Sequence, residues 1–435
     1  MMRRSKVLDN VRWLVVCKTI QSVLQLIVGM MTARYLGPSN YGLINYAKSV
    51  VAFAMPFVQL GLDATLVKEI IEHPNNEGKI MGTALLTGVM SGFAWIILVG
   101  GFVFSTHLNE PETIAVCMLY SVSMVFQAIT LIQYWYHSQL QAKYPAFIQL
   151  VTYVLISALK IYLLAVEASV YWFAIAYSIE AGMIGFSLLL IYRRKGLQKL
   201  SFSFLLVKQM VSRSHPYIWA ALMVTIFQNT DHVMLKMITG NEENGFYTAA
   251  ITVVSVCQYV GVAMVDTMRP VIISQKTEKT GDYKESIAKL YGMIFYLCIL
   301  QGIAFTLGAD LIIKLLYGAD YAQAAPVVRI LVWYMAFSFM GLIRNVWILT
   351  EEKHSSLWKI NLTGALVNVG ANWLMIPIWG ARGAAIASLL TQFGMNFVLG
   401  FLVPSLRENN RLIILGMNPV FLSQSIRREG DNGKK

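Results

Sequence analysis

The chain has 435 residues, of which 57% are hydrophobic and only 13% are charged, whereas soluble domains average about 45–50% apolar and about 25% charged residues. This composition excludes an ordinary soluble enzyme or binding domain. The formal net charge of +12 would suit a nucleic-acid partner, but basic loops on one side of a membrane explain it better. We therefore expect no nucleic acid.

Repeated apolar runs of about 20 residues are long enough to cross a ~30 Å hydrocarbon core. Hydropathy predicts an all-α polytopic membrane protein with about 12 transmembrane helices. In chain order they are expected at residues 11–36, 41–62, 80–104, 113–137, 146–166, 170–191, 215–238, 245–268, 286–308, 326–349, 356–378 and 381–403. The first run is too long for a signal peptide and is predicted to be a retained span.

The loops differ in charge on alternate sides of the predicted bundle. Arg and Lys are concentrated at the N-terminus, in the loops after spans two, six and eight, and in the C-terminal tail. Residues 109–112, 166–168 and 241–243, in the alternate loops, are acidic or poor in cations. The positive-inside rule then predicts that both termini are cytoplasmic, which agrees with an even number of spans.

The turn after span one recurs after span seven. Residues 37–42, with a glycine at each end, match residues 240–245 in the same register in which Gln25 meets Gln228. Such weak internal similarity is typical of transporters and predicts two parallel six-helix lobes. The predicted divisions are a first lobe over residues 1–195, a cytoplasmic linker over 196–213, a second lobe over 214–403 and a cytoplasmic tail over 404–435.

Two cytoplasmic segments, residues 200–211 and 412–426, have amphipathic patterns. They are expected either to lie as helices at the membrane interface or to be loops whose apolar residues pack on the bundle. The pattern alone favours neither.

Ionisable residues at membrane depth are costly and are therefore candidates for functional sites. Lys18, Gln21 and Gln25 share one face of the first span, and such a polar stripe must face protein or a water-filled cavity. The candidates for lining a substrate cavity lie on spans one, two and seven: Lys18, Gln21, Gln25, Lys48, Gln228 and His232. Few acids lie at the depth of these cations, so an anionic substrate group is expected.

Three acidic residues, Asp63, Glu180 and Asp231, are candidates for ion coupling or for structural ion pairs, and both roles stay open. On span ten, Arg329 and Arg344 are close enough to an interface to be expected to snorkel.

No catalytic or nucleotide-binding motif occurs in the sequence. The Walker A pattern is absent, and the six histidines lack metal-ligand spacing. The four cysteines lie inside apolar runs and are expected to be core residues. We expect a protein that is not an enzyme and holds no metal or cofactor, apart from coupling to a gradient of H+ or Na+.

Two stretches near the N-terminus point to a family. Residues 33–42, Ala-Arg-Tyr-Leu-Gly-Pro-Ser-Asn-Tyr-Gly, and residues 59–69, Gln-Leu-Gly-Leu-Asp-Ala-Thr-Leu-Val-Lys-Glu, resemble the N-terminal signature of the polysaccharide-exporter branch of the MOP (MATE-like) superfamily. Residues 245–250 and 380–387 are similar to later signatures of that branch. The resemblance extends over almost the whole chain, about residues 10–403.

The resemblance implies a Wzx-type flippase for undecaprenyl-diphosphate-linked oligosaccharides, such as O-antigen repeat units, in the cytoplasmic (inner) membrane of a bacterium. It implies alternating access between two lobes, with spans one, two, seven and eight lining a cationic cavity. Membrane lipid, a polysaccharide polymerase and a chain-length regulator are the partners it implies. Related lipid II flippases use arginines at the start of the first helix. Their binding site is not carried over to this chain, because the same region here offers only Arg12 and Lys18.

Two other functions stay open. A cation-coupled antiporter for drugs or other small molecules would have the same fold. A non-transporting scaffold could instead recruit a polymerase through its basic tail.

Overall fold

The computed structural model describes residues 2–195, 198–279, 282–352 and 355–432. Within these residues every regular element is helical and no strand occurs. The predicted all-α fold is confirmed.

Nine segments of the described chain are long and apolar enough to cross a membrane. Two of them, Val16–Glu72 and Ile360–Leu402, each contain two of the predicted spans. The predicted seventh span, residues 215–238, lies in a helix that is too polar to be one of the nine. Together these segments account for the twelve predicted helices, and the protein is a multi-pass membrane protein.

Contacts divide the chain into two compact units, Met1–Val233 and Met234–Lys435. The boundary between the units falls inside the helix Phe204–Thr239. The lobes and the linker that the loop positions predict stay predictions. The first unit contains α1 (Met2–Val58), α2 (Leu62–Glu72), α3 (Glu77–Thr106), α4 (Pro111–Ser121), α5 (Ser123–Ile129), α6 (Gln133–Ser138), α7 (Lys143–Ala165), α8 (Val170–Lys195) and most of α9 (Phe204–Thr239).

The second unit begins within α9 and continues through the C-terminal helices. It contains α10 (Asn241–Glu278), α11 (Tyr283–Tyr317), α12 (Ala324–Thr350), α13 (Ser355–Phe393), a π-helical turn (Gly394–Val398), α14 (Leu399–Leu402), α15 (Arg407–Met417) and α16 (Pro419–Asn432). Large aromatic side chains are buried in its core, among them Tyr317 on α11, Tyr321 in the 3-10 turn after α11 and Trp347 on α12.

The repeated turns depend on glycine. Gly37 interrupts α1 at φ 70°, and Gly240 precedes α10 at φ 104°. Because side chains with a Cβ rarely adopt this left-handed region, both turns favour glycine. The turn function inferred from the internal repeat is thus present at both positions.

A short non-helical segment, residues 198–203 (the strap), lies along α3 in the first unit. The Ser201 amide donates to the Gly78 carbonyl at 3.2 Å, and the Ser203 amide donates to Thr83 Oγ1 at 3.1 Å. A Cβ on Gly82 would overlap the Ser201 backbone. The amphipathic segment predicted at 200–211 therefore starts as a packed strap and becomes helical only at Phe204.

Replacing Gly82 by Val should displace this strap. Overpacked positions cost about 1–3 kcal/mol, so we expect a lower melting temperature for the purified protein in detergent. Gly101→Val is the matched control, because it lies on the same helix and a Cβ there meets nothing within 4 Å. Equal melting temperatures for the two variants would contradict this packing.

The C-terminal helix α15 packs on α11. A Cβ on Gly292 would lie 2.5 Å from the Gly416 carbonyl oxygen, so the two backbones are in direct contact. The Tyr291 hydroxyl is 2.9 Å from Asn409 Oδ1, and the Tyr296 hydroxyl donates to the Met417 carbonyl at 2.8 Å. The first part of the segment predicted at 412–426 is therefore a helix docked on the bundle.

Candidate functional site

The first half of α1 lies at the edge of the first unit. Lys18 and Gln25 have exposed side chains, and Gln21 is half-buried. Cys17 and Val28 are the buried side chains among residues 16–31. The predicted polar stripe is therefore directed away from the core of this unit, and a role in lining a cavity stays a prediction.

The second half of α1 packs more tightly, but Lys48 is exposed between buried Ala47 and Ser49. Lys48 lies within electrostatic range of Glu180 on α8. Among the described residues, Lys48 has no carboxylate within 4.0 Å, and the same holds for Lys18.

Glu180 is one of the predicted coupling or ion-pair residues, and the structure gives it a partner. Its carboxylate is 4.0 Å from the ammonium of Lys160 on α7, whose side chain is only 6% exposed. The same ammonium lies 4.0 Å from the centre of the Tyr177 ring. The structure thus brings together Lys48, Lys160 and Glu180 from three helices.

The candidates on α9 differ in burial. Gln228 is exposed, as is its repeat counterpart Gln25, while His232 is half-buried and Asp231 is buried. Neighbouring Thr230 donates its hydroxyl to the Ile226 carbonyl of its own helix at 2.6 Å. The repeat-related glutamines therefore share an exposed environment, in agreement with their matched positions.

Asp63 lies in the first turn of α2, two residues after the left-handed Gly61, and is half-buried. A carboxylate at this position is stabilised by the positive end of the helix dipole. This placement gives Asp63 a structural role without deciding whether it also couples an ion.

The start of α9 is attached to α2 and the turn before it. Arg213 Nη1 is 2.6 Å from Glu69 Oε1, and Ser214 donates its hydroxyl to the Leu60 carbonyl at 2.6 Å. The hydrogen bond and the charge of Glu69 raise the pKa of Arg213. This end of α9 therefore belongs to the first unit.

Sequence reasoning missed a buried carboxylate, that of Glu77 at the start of α3. Glu77 is 6% exposed and accepts hydrogen bonds from Trp135 Nε1 at 3.1 Å and from Gln139 Nε2 at 3.4 Å. A Glu just before an apolar run usually caps a helix in solvent, so no signal in the sequence indicated burial. Sequence reasoning also left Lys160 out of the candidate site residues.

The second unit contains a buried cation that was expected at an interface. Arg344 is 5% exposed and donates to the Met395 carbonyl at 2.9 Å, within the π-helical turn. The expectation that Arg344 snorkels is wrong, because its guanidinium is buried inside the bundle and donates a hydrogen bond to that carbonyl. Arg329, in contrast, is partly exposed and pairs with Asp310 at 2.5 Å.

Comparison with known proteins gives the family. The family described as polysaccharide biosynthesis protein matches residues 7–276. The chain belongs to this family. Among curated proteins, none matches the chain.

The fold of this polysaccharide biosynthesis family member is also found in solved structures. A lipid II flippase, MurJ, in an inward closed conformation has a TM-score of 0.75 at 13% identity, over 93% of this chain and 90% of that one. An inward-facing multidrug-resistance MATE transporter of the MOP superfamily has a TM-score of 0.68 at 15% identity, over 93% and 99%. A MOP-superfamily transporter from Pyrococcus furiosus has a TM-score of 0.60 at 14% identity, over 95% and 96%.

These similarities confirm the predicted MATE/MOP-like fold. Together with the family, they support a lipid-linked flippase or another MOP transporter. The candidate residues of the first unit are the exposed cations Lys18 and Lys48 on α1 and the partly buried Lys160–Glu180 pair.

Proposed function

We propose that the protein is a flippase that moves an undecaprenyl-diphosphate-linked oligosaccharide across the bacterial cytoplasmic membrane. The cargo would be the repeat unit of O-antigen or another surface polysaccharide, carried by alternating access. The observation that carries the proposal is the match of residues 7–276 to the polysaccharide biosynthesis family.

The charges of the first unit support an anionic cargo. Glu180 is already balanced by Lys160, so Lys48 is a surplus cation beside this pair. Lys18 adds a second exposed ammonium on α1, on the other side of the break at Gly37. Ammonium groups bind phosphate oxygens through charge-assisted hydrogen bonds, so each lysine offers a contact to a diphosphate that moves past it.

The second candidate is a cation-coupled antiporter for small molecules. The fold similarity to a MATE transporter favours it, and the buried Asp231 and the partly buried Glu180 offer carboxylates for coupling. The fold does not separate the two functions, but their substrates differ in charge and size.

Expression in a strain that lacks its own repeat-unit flippase tests the two functions together. We expect surface glycan to be restored, and we expect drug susceptibility to be the same with and without a protonophore or sodium ionophore. Restored drug resistance that collapses with the ionophore, without surface glycan, would instead establish the antiporter. An H+ or Na+ gradient as the driving force, and a polymerase and chain-length regulator as partners, belong to the same proposal.

A further inference from the structure

The pair of the buried Lys160 and the partly buried Glu180 in the first unit contains groups that occur in cation sites. The Lys160 ammonium is 4.0 Å from Glu180 Oε2 and 4.0 Å from the centre of the Tyr177 ring. Tyr120 packs against Tyr177 with ring centres 5.1 Å apart. A carboxylate and an aromatic face are two groups that attract a monovalent cation.

One face of α7 adds polar groups to this site. Successive members of the set Tyr153, Ser157 and Lys160 are four and three residues apart, and this spacing places them on one side of a helix. The Ser157 hydroxyl is buried and makes no hydrogen bond. Because a buried hydroxyl normally has a partner, this unsatisfied oxygen beside Lys160 points to a ligand position.

The charges that face the carboxylate come from three helices. Lys160 on α7 and Lys48 on α1 are the cations near Glu180, and the tyrosines around it are Tyr120, Tyr153 and Tyr177. Lys160 is the buried member of the two cations, whereas Lys48 is exposed. The carboxylate is therefore neutralised from within the bundle by a side chain that cannot leave.

We propose that the Lys160 ammonium is a tethered occupant of a monovalent-cation site formed by Glu180, Tyr177 and the Ser157 face of α7. In the native protein the lysine takes the place that a free Na+ or K+ would fill, so this site requires no cation from solution. Removing the lysine side chain should convert the site into one that binds a free monovalent cation. The inference concerns the first unit itself and is independent of the transported substrate.

Thermal unfolding of the purified full-length protein in NaCl, KCl and choline chloride of equal ionic strength tests this. We expect Lys160→Ala to melt at least about 3 °C higher in saturating NaCl or KCl than in choline chloride. This salt-specific shift should exceed that of the native protein. It should also disappear in Lys160→Ala/Glu180→Gln, which lacks the carboxylate. Lys143→Ala is the matched control, because Lys143 is an exposed lysine on the same helix.

Lys160→Gln, which keeps most of the side-chain stem, is the second variant if Lys160→Ala does not fold. An Na+ or K+ shift no larger than that of the native protein would overturn the proposal. A shift that persists in the double variant would place the cation elsewhere and would overturn it as well. Failure of both single variants to fold in any of the three salts would show that no free cation replaces the ammonium, which is also a negative result.

Discussion

Replacing both Lys18 and Lys48 by Ala should lower surface glycan at least about tenfold in a strain that lacks its own flippase. A hydrogen bond to a charged group contributes about 1.5–3 kcal/mol, and about 1.4 kcal/mol corresponds to a factor of ten. Each single variant should therefore show a partial loss. Because both side chains are exposed, their removal leaves no cavity in the core, and the proteins should reach the membrane in native amounts.

The control for this double variant is Lys68→Ala. Lys68 is exposed on α2, and its one carboxylate partner among the described residues is Glu72 at 3.7 Å on the same helix, an interaction of little energetic value. Its surface glycan should equal that of the native protein, measured at matched membrane abundance. Native glycan levels in the Lys18/Lys48 double variant would contradict a cationic path for the diphosphate.

Gly416→Val should have the largest effect on stability. A Cβ at this position would overlap the Ala288 carbonyl oxygen and would lie 2.9 Å from the Gly292 amide nitrogen. These are backbone atoms of α11, which cannot rotate away, so α15 must separate from α11. Separation would expose the buried Leu412 and Ile413, each worth about 1.5–3 kcal/mol when fully buried. We expect a clear fall in melting temperature and lower abundance in the membrane.

Gly370→Val is the comparison in the same unit, because a Cβ there meets nothing within 4 Å. Arg411 lies on the exposed side of α15. Arg411→Ala therefore distinguishes a tail that stabilises the bundle by packing on α11 from a tail that recruits a polymerase. If the tail only recruited a polymerase, Arg411→Ala would reduce surface glycan while Gly416→Val kept native stability. We expect the reverse pattern.

The glycine turns and the span positions could be predicted because they depend on local chemistry. Apolar runs of sufficient length indicate spans, and a glycine between two runs indicates a turn, as Gly37 and Gly380 show with φ of 70° and 54°. The helix α9 is not among the nine segments that are long and apolar enough to cross a membrane. Hydropathy nevertheless predicts a span at residues 215–238 within this helix.

The side-chain partners were not predictable in the same way. Lys160 and Glu180 are paired across two helices, and hydropathy carries no information about which polar residues meet. Arg344 is buried because a π-helical turn presents the Met395 carbonyl to it, and no sequence pattern indicated that turn. The strap at 198–203 depends on contacts between residues 120 positions apart, beyond the range of local patterns.

Transport by the purified protein tests the central claim most directly. In proteoliposomes loaded with a polyprenyl-diphosphate-linked oligosaccharide, glycan that reaches the outer leaflet can be measured with an impermeant lectin or glycosidase. The account predicts translocation by the native protein and a reduction of about tenfold in the Lys18→Ala/Lys48→Ala variant. No translocation by folded native protein, with or without an H+ or Na+ gradient, would contradict it.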